Sequence, residues 1–447
     1  MTATTLAVSI ALTAAGTGAN YYKSVQVLSE SELRATPVLA SFQRTDRVLI
    51  ISPHPDDETL ACAGVIQSAK EAGAQVRVVF VTNGDGFRIA LQRQWRVVKP
   101  RGQHYIRFGQ FRQQEAMHAL QPLGLRDRDV VYLGYPDRGL SALWSRNWTP
   151  AAPYRSHYTQ VQVNPYSDAP GQGLTYCGQN LLHDLESQLT QFRPTHVFTS
   201  STCDDHPDHV ATGQFVQAAI ARLYALGTPF AQHVELYAYL VHDGAWPRPQ
   251  GLFPKSVLSP PECYTPPDFR WLHLPLSTDQ IDMKREAVER YASQTRLLGR
   301  YMRSFVRTNE LFYPVCYRSQ LSGDWACLTE PVEENMVTQV QSGADIREME
   351  IHRSDDALTL TFRMRKASPP GVRLDAMVRV LDLSEYPRDV VYRKTTETSV
   401  PRLRQIRSAD SVSLHMAPLD AGALFMVQAS TRIAGLPVDR FYSRVYR

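Results

Sequence analysis

The feature that most constrains this chain is a rhythm. From Arg47 to about Leu240, continuous apolar runs alternate with segments of helical period. Arg47–Ser52 (Arg-Val-Leu-Ile-Ile-Ser) is apolar without polar interruption, which is how a parallel strand covered on both faces reads. Glu58–Ala72 follows with helical spacing and runs into Gly73, a residue suited to the left-handed turn that ends helices. Gln75–Thr82 reads as a second buried strand, closed by Asn83-Gly84. Asp129–Leu133, Thr195–Ser200 and Val234–Val241 read as further strands. Gly109–Leu120, Asn180–Phe192 and Pro207–Leu226 read as helices, the first two stopped ahead of Pro122 and Pro194. Strands and helices in turn imply an α/β fold: a Rossmann-like, mostly parallel sheet flanked by helices, with right-handed crossovers.

After about Thr329 the rhythm changes. Leu358–Met364, Val372–Leu381, Val390–Thr395, Ser411–Met416 and Ala423–Ser430 are short, several with apolar and polar residues alternating, and turn residues separate them. They predict a C-terminal all-β, sandwich-like module. The expected organisation is a leader over 1–30, an α/β domain over 40–325 and the β module over 330–447. Leu143–Gly178 reads as an irregular insertion, rich in Tyr, Pro, Ser and Asn, placed to cover part of a site. Pro247–Pro267 is proline-rich and Thr278–Gln294 is helical. Leu6–Ala15 has the apolar character of a signal-peptide core but no basic residue precedes it, the first being Lys23. Export is expected if that stretch is a signal, a cytoplasmic location if it is not. No segment is long and apolar enough to span a bilayer comfortably.

Composition removes several function classes. The net charge of +4 is spread along the chain with no basic block, so no nucleic-acid footprint is expected. None of the six cysteines forms a C-x-x-C pair, which argues against a thiolate zinc site. Cys316 and Cys327 are close enough in sequence to pair, but a chain of 447 residues has core enough not to need a disulfide. Thr82-Asn83-Gly84-Asp85-Gly86 lacks the full dinucleotide fingerprint and reads as a loop near a pocket.

In open parallel sheets, ligands bind beyond the carboxyl ends of the strands. Two loops occupy such positions: Pro53-His54-Pro55-Asp56-Asp57-Glu58 and Cys203-Asp204-Asp205-His206-Pro207-Asp208-His209. A hydrolytic zinc site takes three nitrogen or oxygen ligands and keeps one position open. His54 and Asp57 share one tight turn, and His209 supplies a third ligand from the second loop. Asp56 is a carboxylate beside them, suited to general-base work. His206, one helical turn from His209, is placed to bind a developing oxyanion or to protonate a leaving amine. Taken singly, Asp56-Asp57 also reads as a helix cap and the second loop as a polar helix start. Together they supply a full ligand set and a base. The other ten histidines show no ligand spacing and are read as structural or surface residues.

A strand, then Pro-His-Pro-Asp-Asp-Glu, then His-Pro-Asp-His closely resembles the PIG-L/LmbE-type zinc de-N-acetylases, over roughly Arg47 to Gln294. The resemblance implies hydrolysis of the N-acetyl group of an N-acetylglucosamine-type conjugate. It also implies His54, Asp57 and His209 as zinc ligands, Asp56 as general base and His206 assisting the tetrahedral intermediate. Arg112-x-x-Glu115 is similar to a family Arg-x-x-Glu whose arginine binds substrate. Leu133-Gly134-Tyr135-Pro136-Asp137 is similar to a segment whose aspartate holds sugar hydroxyls. Lys284 and the Ser293-Gln294 ending match a late helix. A His/His/Asp site also accepts iron or cobalt. A zinc amidase acting on a non-sugar amide and a non-catalytic glycan-binding protein are the competing functions, and the expected partner is a small-molecule or glycan substrate.

Overall fold

A computed structural model describes residues 36–261, 270–317, 325–329, 341–355, 357–381, 391–395, 404–407, 410–416, 423–442 and 445–446, with 383 and 419. The expected leader lies outside these residues, as do the end of the proline-rich passage and the side chain of Cys327. The chain divides into two compact units, one formed by Val27–Pro261 with Phe269–Val315, the other taking the chain from Cys316 onward. Among the described residues no helix is long and apolar enough to cross a membrane.

The first unit is built on a seven-stranded sheet of order β3-β2-β1-β4-β5-β7-β6. Its strands are β1 (Arg47–Ser52), β2 (Gln75–Thr82), β3 (Val130–Tyr135), β4 (His196–Ser200), β5 (Glu235–Tyr239), β6 (Leu272–Pro275) and β7 (Asn309–Pro314). The first five are parallel, with Ile51 opposite Val79 on one side and Thr199 on the other. Val48 through Ser52 are all buried, as an uninterrupted apolar run on a doubly covered strand requires. The helices are α1 (Asp57–Glu71), α2 (Arg88–Trp95), α3 (Gly102–Leu120), α4 (Leu140–Ser145), α5 (Gly178–Phe192), α6 (Pro207–Ala225), α7 (Thr278–Arg290) and α8 (Ala292–Met302).

Three differences from the sequence expectation have local causes. Helix α3 begins at Gly102 rather than Gly109, because the His104 ring accepts from the Arg101 amide at 3.0 Å and closes the first turn; neither is a residue type that announces a cap. The helix expected over Thr278–Gln294 breaks at Tyr291, whose ψ of 57° leaves the helical region. That break lets the Ser293 amide and hydroxyl donate to Glu115 at 2.7 and 2.6 Å. Strands β6 and β7 are antiparallel additions at one edge, too short to carry a clear period.

The second unit holds β8 (Trp325–Thr329), β9 (Ile346–Arg353), β10 (Leu358–Met364), β11 (Val372–Leu381), β12 (Val391–Thr395), β13 (Arg404–Arg407), β14 (Ser411–Met416), β15 (Leu424–Ile433) and β16 (Leu436–Tyr442). They form two antiparallel sheets, β13-β14-β10-β9-β8 and β12-β11-β15-β16. Burial alternates along β10 and β14, and the inward side chains of both sheets, such as Leu360, Leu414, Val378 and Phe425, share one core.

Candidate active site

Strands β1 and β4 are neighbours, and the chain leaves them toward opposite edges of the sheet. A crevice opens at such a reversal, beyond the carboxyl ends of the two strands. The loop after β1 brings His54, Asp56 and Asp57 to it. The loop after β4 brings Asp204, His206, Asp208 and His209, and the turn after β3 brings Asp137.

The side chains converge on one carboxylate oxygen. Asp57 Oδ2 lies 3.2 Å from His54 Nδ1 and 3.1 Å from His209 Nε2. Ligands 2.0–2.1 Å from a tetrahedral ion stand about 3.3 Å apart, so both separations suit neighbouring ligands of one ion. Each imidazole is held from behind. His209 Nδ1 faces Asp204 Oδ2 at 3.2 Å, and His54 Nε2 faces Asp208 Oδ2 at 3.2 Å and Asp137 Oδ1 at 3.4 Å. A carboxylate behind the ring fixes the N–H there and leaves the opposite nitrogen for an ion. His209 Nε2 is buried and, despite its closeness to Asp57, makes no aligned hydrogen bond. Asp57, Asp137, Asp204 and Asp208 are all buried, while the guanidinium of Arg112 is paired with Asp56 at 2.9 Å. An orphaned ring nitrogen amid this excess of carboxylate is what a divalent cation would satisfy.

The electrostatics agree. Burial alone would lower the His54 pKa, but hydrogen bonds with Asp137, Asp208 and Asp57 outweigh it and hold the ring well above its usual value. Burial pushes the Asp57 carboxyl up, yet the His209 and His54 imidazoles beside it pull it well below the usual range. Asp56 is lifted by burial to about 7, against the pull of Arg112. His206 is driven well below its usual value by burial and by the neighbouring imidazoles, so it is neutral. Its Nδ1 accepts from the Asp208 amide at 3.2 Å, which places its proton on Nε2.

Residues 49–220 match the family model described as GlcNAc-PI de-N-acetylase, PIG-L. They form a PIG-L domain. A 1D-myo-inositol 2-acetamido-2-deoxy-alpha-D-glucopyranoside deacetylase of Nakamurella multipartita is 30% identical over 182 residues, 39% of this chain and 54% of that protein. The protein of the same name from Mycolicibacterium smegmatis is 33% identical over 187 residues, 40% of this chain and 55% of that one. The chain thus spans about half the length of the curated relatives it matches. An N,N'-diacetylchitobiose deacetylase structure from Pyrococcus horikoshii is 16% identical with a TM-score of 0.39, covering 65% of this chain and 95% of that one.

Within the PIG-L domain, Asp56 caps α1 in a conformation most residues avoid, φ 127° and ψ −33°. It is held there from several sides. Its amide donates to Glu58 Oε2 at 2.9 Å, and its carbonyl accepts from Thr59 and Leu60. Tyr291 donates to the same Glu58. Arg112, expected at the substrate, is buried behind Asp56, donating to the carbonyls of Gly84 and Pro55 as well. Glu115 does not pair with it but binds Ser293. Asp137 accepts from the Gly86 amide at 2.7 Å through Oδ2, leaving Oδ1 toward His54. The insertion reaches this edge: a β-carbon on Gly86 would fall 2.8 Å from the Tyr158 ring and 3.0 Å from Asp137 Oδ2. Lys284 is buried against Glu310 at 2.7 Å, a structural pair beneath α1.

Three residues given no role by the sequence belong to this site. Asp204 and Asp208 sat within the second loop, but their tasks depend on which ring each one backs. Asp208 accepts from the amides of Arg138 and Leu140 at 2.6 and 3.1 Å, the former turned toward it by a left-handed Arg138 (φ 58°). His242, one of the histidines read as structural or surface residues, has its ring centroid 4.8 Å from that of His209. Its position just past β5 was the available signal, since that is again the carboxyl end of a strand.

Proposed function

We propose that this chain is a divalent-metal-dependent N-deacetylase, using zinc, that hydrolyses the acetamide of an N-acetylglucosamine-type conjugate. One observation carries the reading: two imidazoles, each backed by a carboxylate, meet at one oxygen of Asp57 with a second aspartate, Asp56, alongside. The names of the curated relatives and of the matching family support the substrate class. His54, Asp57 and His209 would hold the ion. Once bound, it would polarise the acetyl carbonyl and acidify water.

The chain's own residues supply the rest. Asp56 takes the proton of the attacking water and, once protonated, returns it to the leaving amine. Arg112 keeps that carboxylate oriented and favours its ionised form. His206 is a neutral donor, with its N–H on Nε2, for the oxygen that gains charge as the acyl carbon becomes tetrahedral. Asp137 fixes His54 and lines the edge where a sugar hydroxyl would lie.

The test is acetate release over a panel of inositol-linked N-acetylglucosamine, chitooligosaccharides and N-acetylated non-sugar amides, with metal content measured in parallel. Asp56→Ala is expected to lose about 10²–10⁴ in turnover while keeping its metal. Full activity in that variant removes the base. Release confined to the non-sugar amides removes the sugar.

A further inference from the structure

His242 stands at the same sheet edge as the two motif loops, three residues past the end of β5. Its backbone amide donates to Asp204 Oδ2 at 2.9 Å, the same oxygen that faces His209 Nδ1 at 3.2 Å. A single carboxylate oxygen therefore sets the position of both residues. The His242 ring is fixed a second time, its Nδ1 lying 3.2 Å from the Tyr301 hydroxyl with the two ring planes 9° from parallel.

Which nitrogen carries the proton follows from counting donors. Tyr301 has one hydroxyl proton and donates it to the Val241 carbonyl at 2.6 Å, a group that only accepts. Toward His242 the tyrosine oxygen can then only accept. This puts the imidazole proton on Nδ1 and leaves Nε2 as a lone pair. His209 is likewise backed at Nδ1, by Asp204, which leaves Nε2 as the nitrogen an ion would take, while His206, whose Nδ1 accepts from an amide, is the opposite. A lone-pair imidazole is a metal donor, and an N–H imidazole is a hydrogen-bond donor. The two kinds are thus sorted around one cavity. A ring nitrogen of His242, a carboxylate oxygen of Asp57 and a ring nitrogen of His209 form a group whose atoms all lie within 4.8 Å of one another. Zinc sites that expand to five-coordinate accommodate an additional donor without losing the position used by water.

We infer that His242 is a further metal-site residue, its Nε2 a fourth protein donor to the divalent ion beside Asp57 and His209. The inference rests on the metal-dependent reading above, and its test needs no acetylated substrate. Metal-free wild type, His242→Ala and Tyr301→Phe are titrated with zinc against a chromophoric chelator, and with cobalt followed by its visible absorption. Near-UV circular dichroism confirms the fold of each variant. His242→Ala is expected to bind zinc about 10–100-fold more weakly and to change the cobalt spectrum. Tyr301→Phe, which keeps the ring but frees its tautomer, is expected to show a smaller loss in the same direction.

Unchanged zinc affinity and an unchanged cobalt spectrum in folded His242→Ala overturn the inference. A fall in turnover without either change overturns it too, and places the ring against substrate instead. If His242→Ala does not fold, Tyr301→Phe decides: weaker zinc binding supports the assignment and unaltered binding removes it. A wild type that takes up no divalent ion fails differently, because it removes the metal-dependent reading as a whole.

Discussion

Asp56 has an unfavourable backbone, a half-buried carboxyl and a guanidinium 2.9 Å away. Burial raises its pKa to about 7, and Arg112 is the largest influence pulling the other way. In the proposed role of general base, Asp56 works only when ionised. Arg112→Ala should therefore raise the Asp56 pKa and move the acid limb of the kcat/KM profile to higher pH. Activity would fall more at pH 6 than at pH 8. A limb that stays in place while overall activity drops would assign Arg112 to packing or substrate contact instead. At this scale the sequence was legible where chemistry draws on few residue types. His54, Asp56, Asp57, His206 and His209 were all picked out, and the structure brings them together. The partner of Arg112 was not readable, because 56 residues separate it from Asp56 and only the packing of α3 behind the β1 loop joins them. His242 was hidden for the same reason, its company being set by sheet order rather than by spacing.

At the scale of elements, the parallel strands were legible because burial on both faces demands unbroken apolar runs, and β1 and β2 fall where those runs do. Elements held by individual polar contacts were not. The break at Tyr291 serves Glu58 and Glu115, and nothing in a helical period announces it. Glu310 on β7 is similar: it accepts from the amides of Gly64 and Val65 in α1 and from Lys284 on α7, all buried. This carboxylate ties together the helix that carries Asp57, the late helix and the antiparallel edge. Lys284→Met would strand it without its cation, and a loss of about 3–5 kcal/mol in urea unfolding is expected. Adding Glu310→Gln removes the stranded charge yet keeps an oxygen for the amides, so the double variant should recover part of that loss. A double variant no better than the single one would show that the lysine stem, rather than the charge, is what α1 rests on.

At the scale of the whole molecule, the residues proposed to hold the ion belong to the α/β unit, and the β unit has a core of its own. Metal should therefore act on the melting of the former. The direction with pH follows from the imidazoles. Burial lowers the His209 pKa, but Asp204 and Asp57 more than offset it and bring the ring to about 9, above its ordinary 6.5. A group whose folded pKa is raised contributes stability that is complete below the unfolded value and is lost as pH climbs through the folded one. Metal-free protein should accordingly weaken between about pH 6.5 and pH 9. In the loaded protein the ion takes the place of that proton, so the loss does not occur, and ion binding itself tightens as fewer protons compete. At a hundredfold excess over Kd the ion adds about 2.7 kcal/mol, or about 5 °C for a unit of this size. Calorimetric scans with zinc and with a chelator, at pH 6 and at pH 9, should thus show a gap in Tm that widens toward the alkaline side. A gap of equal width at both values would mean that Asp57 and Asp204 hold no proton on His209 for the ion to replace, and zinc without effect at either would leave the buried carboxylates of this crevice with no cation to explain them.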